Sequence, residues 1–173
     1  MKKSINTQKW MILVMMITLD VVLSPLFRIE GMAPMSSLMN VSAAVLMGPF
    51  YGTLMALACA ILRMMLLGIP PLALTGALFG AFLAGLGYRL TKKVWGAMLG
   101  EFIGTGLIGS LLSYPVMVWF TGSHTGLFWF VYTPRFIGGA TIGSILALLL
   151  LVKLQHLSIF KQSQAIFTEE ADS

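Results

Sequence analysis

The sequence predicts an all-α integral membrane protein: a six-transmembrane-helix bundle with N and C termini cytoplasmic. Three observations lead there. Of the 173 residues, 58% are hydrophobic and only 10% are charged, with a mean hydropathy of +0.91. Soluble domains carry about a quarter charged residues, so this chain lacks the polar surface to cover itself in water and reads as one domain whose solvent is lipid. The apolar residues fall into six runs, and most basic residues flank the ends that six crossings place on one side.

The first span covers residues 10–27, "WMILVMMITLDVVLSPLF". Lys2 and Lys3 before it imitate a secretory signal, but Asp20 interrupts the run and no small-residue cleavage site follows, so it reads as a retained helix. The second, 35–48, ends in a Gly-Pro turn, "GPFYG", that opens the third at 51–67. "GIPP" then breaks the chain before a fourth at 72–90, with a fifth at 94–120 and a sixth at 127–152. A crossing takes about 20 apolar residues, so the second span is short and reads as little tilted or set beside a thinned region. Residues 1–157 thus form the transmembrane domain, and 158–173, ending "TEEADS", read as a polar, disordered cytoplasmic tail.

Charge sets the orientation. Lys2, Lys3 and Lys9 precede span one; Arg89, Lys92 and Lys93 join spans four and five; Lys153 and Lys161 follow span six. With six crossings all of these share one face, which the positive-inside rule makes cytoplasmic. Arg28, Glu30 and His124 fall on the other. The net charge of +5 is spread along the chain without a basic face, so it is no footprint for nucleic acid. The expected setting is the cell membrane, with lipid as the surrounding partner.

Enzyme chemistry finds little footing. The lone cysteine, Cys59, lies mid-span in "LMALACAIL" and reads as a packing residue; no cysteine-rich metal site or disulfide is available. His124 and His156 lie outside the spans, which leaves no H-E-x-x-H, Ser-His-Asp or Cys-His set, and neither a metal nor a cofactor is implied. Gly104 to Gly109 spell G-x-G-x-x-G, but no strand precedes them and the next acidic residue after Glu101 is Glu169, so the dinucleotide fingerprint is a coincidence. Small residues four apart, Gly76–Gly80–Ala84, Ala77–Ala81–Gly85 and Gly100–Gly104, read instead as close helix packing. No P-loop occurs, so uphill transport would borrow an ATPase or couple to an ion.

Four ionisable residues lie within spans: Asp20, Arg63, Glu101 and Arg135. Each costs at least about 2.5–3.5 kcal/mol at a helix centre, so pairing or a watery cavity is required. Asp20, Arg63 and Arg135 share the outer half of the bundle, and Asn40 enters from the same side. Structural ion pairing is one reading; an outward-opening polar pocket is the other, with Asn40, Arg63, Glu101 and Tyr114 as its leading members and Arg135 and Asp20 next. Trp119, Trp129 and Tyr132 read as interfacial anchors. On a helical wheel Glu101, Thr105, Ile108 and Leu112 share a face, beside the Gly100–Gly104 groove.

Several stretches together resemble the ThiW family: N-V-x-A-A-V-L-x-G-P at Asn40 to Pro49, Arg63, A-G-L-x-Y-R at Ala84 to Arg89, and G-E-x-I-G-T-G at Gly100 to Gly106. The similarity covers most of residues 10–152. It implies a substrate-binding S component of an energy-coupling factor (ECF) transporter, which takes up the thiazole precursor of thiamine. It further implies a pocket near the outer face, closed by the loop "RIEGMAPMS". The implied partners are a transmembrane coupling protein and two cytoplasmic ATPases. This chain departs from the family pattern at Ser36 and Ser37, where Gln and His are usual, and at Met64, where Asn is usual. Val14 and Thr18 stand at the small-residue pair of the first helix that docks the coupling protein. Arg63 and Arg135 invite an anion, whereas hydroxyethylthiazole is neutral; unless Asp20 and Glu101 neutralise them, a phosphorylated or carboxylated ligand suits the charges better. The rival readings are an autonomous ion-coupled transporter using Asp20 or Glu101, a membrane enzyme, and a structural assembly protein.

Overall fold

The structure, a computed structural model, describes residues 2–28, 32–122 and 128–168; Glu30 and His124 lie outside these. The regular elements among them are helices. They run α1 (Lys2–Leu26), α2 (Pro34–Leu67), α3 (Leu72–Thr91), α4 (Val94–Glu101), a π-helical segment (Phe102–Gly109), α5 (Ser110–Thr121), α6 (Phe128–Leu154) and α7 (Ser158–Thr168). Five stretches are long and apolar enough to cross a membrane: Asn6–Leu26, Pro34–Leu67, Leu72–Thr91, Val94–Phe120 and Trp129–Leu154. The sequence reading counted six because it divided Pro34–Leu67 at Gly48-Pro49.

That division is real in geometry, because two helices meet here at a kink. Gly48 leaves helical space at φ 76, ψ −174, a conformation open to glycine and closed to residues bearing a Cβ. A straight helix would carry position 63 about 40 Å from position 36 at 1.5 Å per residue. Instead the Arg63 guanidinium donates to the Ser36 hydroxyl at 3.1 Å, and a Cβ on Gly52 would lie 3.7 Å from the Ala43 carbonyl carbon. The two halves of α2 therefore lie side by side and antiparallel. Pro49 suits the first turn of the returning half, where its missing N–H costs nothing.

The outgoing half is the axis of the bundle: Asn40 through Met47 are all buried. Met39, Ala43, Leu46 and Met47 pack with Leu13 of α1 and with Met55 and Cys59 of the returning half. Val41, Ala44 and Val45 pack with Ala84, Val94, Ala97, Ala147 and Leu151. Ala56, Ala60, Ala77 and Ala81 join the returning half to α3. Outward-facing positions stay apolar, with Leu90 77% and Phe130 83% exposed, as expected of a surface solvated by lipid tails.

Close approach between α3 and the helix that follows depends on glycine. A Cβ on Gly100 would overlap the Leu83 carbonyl, one on Gly104 the Phe79 carbonyl, and one on Gly109 would sit 2.7 Å from Gly76 Cα. The G-x-G-x-x-G stretch is thus a packing surface. Its π-helical geometry also changes the expected face: Glu101 and Thr105 stay together, whereas Leu112 turns outward at 36% exposure.

The tail differs from expectation. Residues 158–168 form α7, because Phe160, Ser163, Gln164 and Phe167 recur at helical spacing and make one inward stripe. Phe167 is buried against Tyr51, with ring centroids 5.1 Å apart. The Gln164 amide donates to the Val45 carbonyl and to the Tyr88 hydroxyl, both at 2.8 Å. Val45 has a carbonyl to offer because residue 49 is proline and returns no N–H to it. Residues 169–173 lie outside the described residues.

Gly100→Ala should lower the thermal midpoint of the detergent-solubilised protein by several degrees, an overpacking cost of about 1–3 kcal/mol. Leu99→Ala, on the exposed side of the same helix, should leave the midpoint within a degree or so.

Candidate functional site

A cavity of about 270 Å³ opens at the end of the bundle where α1 and the returning half of α2 finish and where α2, α3 and α6 begin. Its polar wall comes from Arg28, Ser36, Ser37, Asn40, Arg63, Thr105, Tyr132 and Arg135; Ile69, Pro70, Gly76 and Phe136 contribute to the apolar wall. The turn at Gly68, held at φ 61, brings Ile69 and Pro70 over the space. Tyr132 and Phe136, one helical turn apart on α6, offer it aromatic surface. Gly139 and Gly143 of α6 let the start of α2 come close: a Cβ on Gly143 would overlap the Pro34 carbonyl, and one on Gly139 would lie 3.5 Å from the Ala33 nitrogen.

Beneath this wall lies Glu101, fully buried. The Asn40 amide nitrogen donates to both of its oxygens at 3.3 Å. Thr105, one turn along, lies 2.8 Å from the carboxylate and 2.9 Å from the Gly76 carbonyl, and its single proton serves one of these at a time. The Ser37 hydroxyl completes the set. Gly80 admits the carboxylate, since a Cβ there would lie 2.5 Å from Glu101 Oε2. Glu101 therefore acts on the cavity through Asn40, whose amide it holds in one orientation. With its nitrogen committed to the carboxylate, Asn40 Oδ1 has no partner among the described residues, nor has Arg63 Nε. One buried acceptor and one buried donor thus belong to cavity-lining side chains, each of which costs about 1–3 kcal/mol while unmatched.

The six residues singled out in the sequence distribute unevenly. Asn40, Arg63 and Arg135 line the cavity, and Glu101 orders it from behind. Asp20 does not reach the wall. It lies fully buried between α1 and the returning half of α2, takes the Ser24 hydroxyl, and has the Cys59 thiol beside it with Arg63 in electrostatic range. Cys59 and Arg63 are one turn apart, so Asp20 meets α2 one turn deeper than the cavity. Tyr114 is also absent from the wall: its ring meets Trp129 edge-on at 5.1 Å, in the contact between α5 and α6.

The sequence does not single out Arg28, Tyr132 or the two serines as site members, although Arg28 and Ser36 begin and end the loop that the resemblance sets over the pocket. Tyr132 reads there as an interfacial anchor. Ser36 and Ser37 were noted only as departures from a pattern, yet their place in the first turn of α2 was the available signal. Ser36 receives Arg63 and Ser37 reaches Glu101. Among the described residues no group of three His, Cys, Asp or Glu side chains stands close enough to hold a metal ion.

Thr105→Val removes one hydroxyl from both the Glu101 carboxylate and the Gly76 carbonyl at nearly constant volume. The expected loss is about 1–3 kcal/mol, read as a lower thermal midpoint, whereas Thr141→Val on the outer face of α6 should change it little.

No curated protein and no solved structure matches the chain. A family model, described as thiamine-precursor transporter protein (ThiW), matches residues 10–157. A bundle of apolar helices enclosing a small polar cavity is what a multi-pass transporter of a small solute requires, and the chain belongs to the ThiW family of thiamine-precursor transporters.

Proposed function

We propose that the chain is the substrate-binding S component of an ECF-type transporter, which receives a hydroxyethylthiazole-like thiamine precursor at the outer face of the cell membrane. The observation that carries this reading is the cavity of about 270 Å³ with Asn40, Arg63 and Arg135 on its wall, in a chain of a thiamine-precursor transporter family. Drug-sized pockets run from roughly 300 to 1,000 Å³, so the space suits one ring with a short arm rather than two linked rings. Phe136 and Tyr132 supply a face for a flat heteroaromatic ring.

The orientation belongs to the same reading. The halves of α2 serve as two crossings, which makes six, with both termini cytoplasmic. Arg89, Lys92, Gln164 and Phe167 gather around a second cavity beside Gly48, and Lys9 lies 5.8 Å from the Tyr51 ring. A basic end of this kind faces the cytoplasm under the positive-inside rule, which turns the first cavity outward. A coupling protein and two cytoplasmic ATPases would supply the energy, because the chain contains no P-loop. Val14 and Thr18 lie on the exposed side of α1, where a coupling protein has access.

Four measurements test this. Titration of the purified protein with hydroxyethylthiazole should give saturable heat; no heat at high micromolar concentration removes that ligand. Glu101→Gln should weaken binding about tenfold or more with the thermal midpoint retained; loss of folding instead makes Glu101 a purely structural residue. Expression with its partners should co-purify a coupling protein and ATPases. Uptake into vesicles without any ATPase, abolished by an uncoupler, would overturn the S-component role in favour of ion coupling.

A further inference from the structure

The cavity wall carries three arginines, more positive charge than the described acids beside it offset. Arg28, Arg63 and Arg135 come to it from three separate parts of the chain: the end of α1, the returning half of α2, and α6. No carboxylate lies on that wall among the described residues. Of the described acids, Glu101 is committed to Asn40, Thr105 and Ser37, and Asp20 to Ser24, with Arg63 as its electrostatic counterpart. The first turns of α2 and α3 also border the space, through Ser36, Ser37, Leu72 and Ala73. Helix N-termini present the positive end of the helix dipole.

Arg63 adds a second, independent observation. It is only 5% exposed, and one guanidinium nitrogen is used on Ser36 while Nε has no partner among the described residues. A guanidinium is a fork of donors matched to a carboxylate or phosphate. A neutral hydroxyl can accept from one arm; an oxyanion can accept from several arginines at once.

We infer that the transported precursor is an anion: a single heteroaromatic ring bearing a phosphate monoester or a carboxylate, with the anionic group held by Arg63 and Arg135 and drawn in past Arg28. This rests on the precursor-binding reading and narrows its substrate class. Arg135 and Arg28 act as the specificity determinants for charge, and Phe136 receives the ring.

The test is calorimetric titration of the full chain in nanodiscs with hydroxyethylthiazole, its phosphate monoester, a thiazole carboxylate and inorganic phosphate. At least one anionic thiazole should bind about tenfold or more tightly than the neutral alcohol, with a preference that shrinks in salt; Arg135→Gln should narrow the gap to about threefold, and Arg135→Lys should retain most of it. Which anion binds better separates phosphate from carboxylate. Arg28→Gln, at an exposed position, should narrow the gap as well and keeps the test open if the α6 variant fails to fold. If the neutral alcohol binds as tightly as both anions, or if the variants weaken all thiazoles equally, the charge inference falls and the thiazole reading stands. If no thiazole binds, with or without binding of inorganic phosphate, the precursor reading falls and the inference with it.

Discussion

The reversal of α2 at Gly48-Pro49 is the constraint on which the rest of this molecule depends. Glycine alone tolerates the backbone angles there, and the proline after it disfavours helical geometry at the preceding residue. Three consequences follow from one bend. Ser36 and Arg63, distant in sequence, become neighbours at the mouth of the cavity. The outgoing half is enclosed on all sides, which places Asn40 where Glu101 can hold it. The Val45 carbonyl, deprived of its helical donor by Pro49, becomes the seat for Gln164 of α7.

A carboxylate can stay buried in such a bundle only if its oxygens are met, and the glycines of α3 make that possible. Gly80 leaves room for the Glu101 side chain and Gly76 leaves room for the Phe136 ring, while Thr105 bridges between α3 and the carboxylate. Packing and polarity are thus solved by the same residues. The helix faces that come closest are also the faces that carry the buried hydrogen bonds, and their partners line the cavity.

Much of this architecture was legible in the sequence. Apolar run lengths placed most of the span boundaries within a few residues of the helices, and the Gly-Pro break was located at the correct residue. Asn40, Arg63 and Arg135 stood out because polar groups in an apolar run need a reason. Depth along a helix is readable in this way; rotation about its axis is much less so. Asp20 and Tyr114 were assigned by depth alone, and both face other neighbours than the cavity. The π-helical turn after Glu101 has no simple apolar period, so Leu112 could not be foreseen as outward-facing. The α7 stripe was hidden by Lys161 and Gln162 outside it and by the polar Ser163 and Gln164 within it, so that average polarity concealed an inward face.

Contact of backbone on backbone has a mechanical consequence. Where Gly100 and Gly104 rest on the carbonyls of Leu83 and Phe79, there are no side-chain rotamers to exchange, so small displacements meet hard-sphere resistance at once. The α3 pair with its π-helical neighbour is therefore the stiff frame of the molecule. Helix α1 is seated differently, through long and pliable side chains such as Leu13 and Met16 against α2, which can slide through alternative packings. One side of the bundle thus behaves as a strut and the other as a bearing.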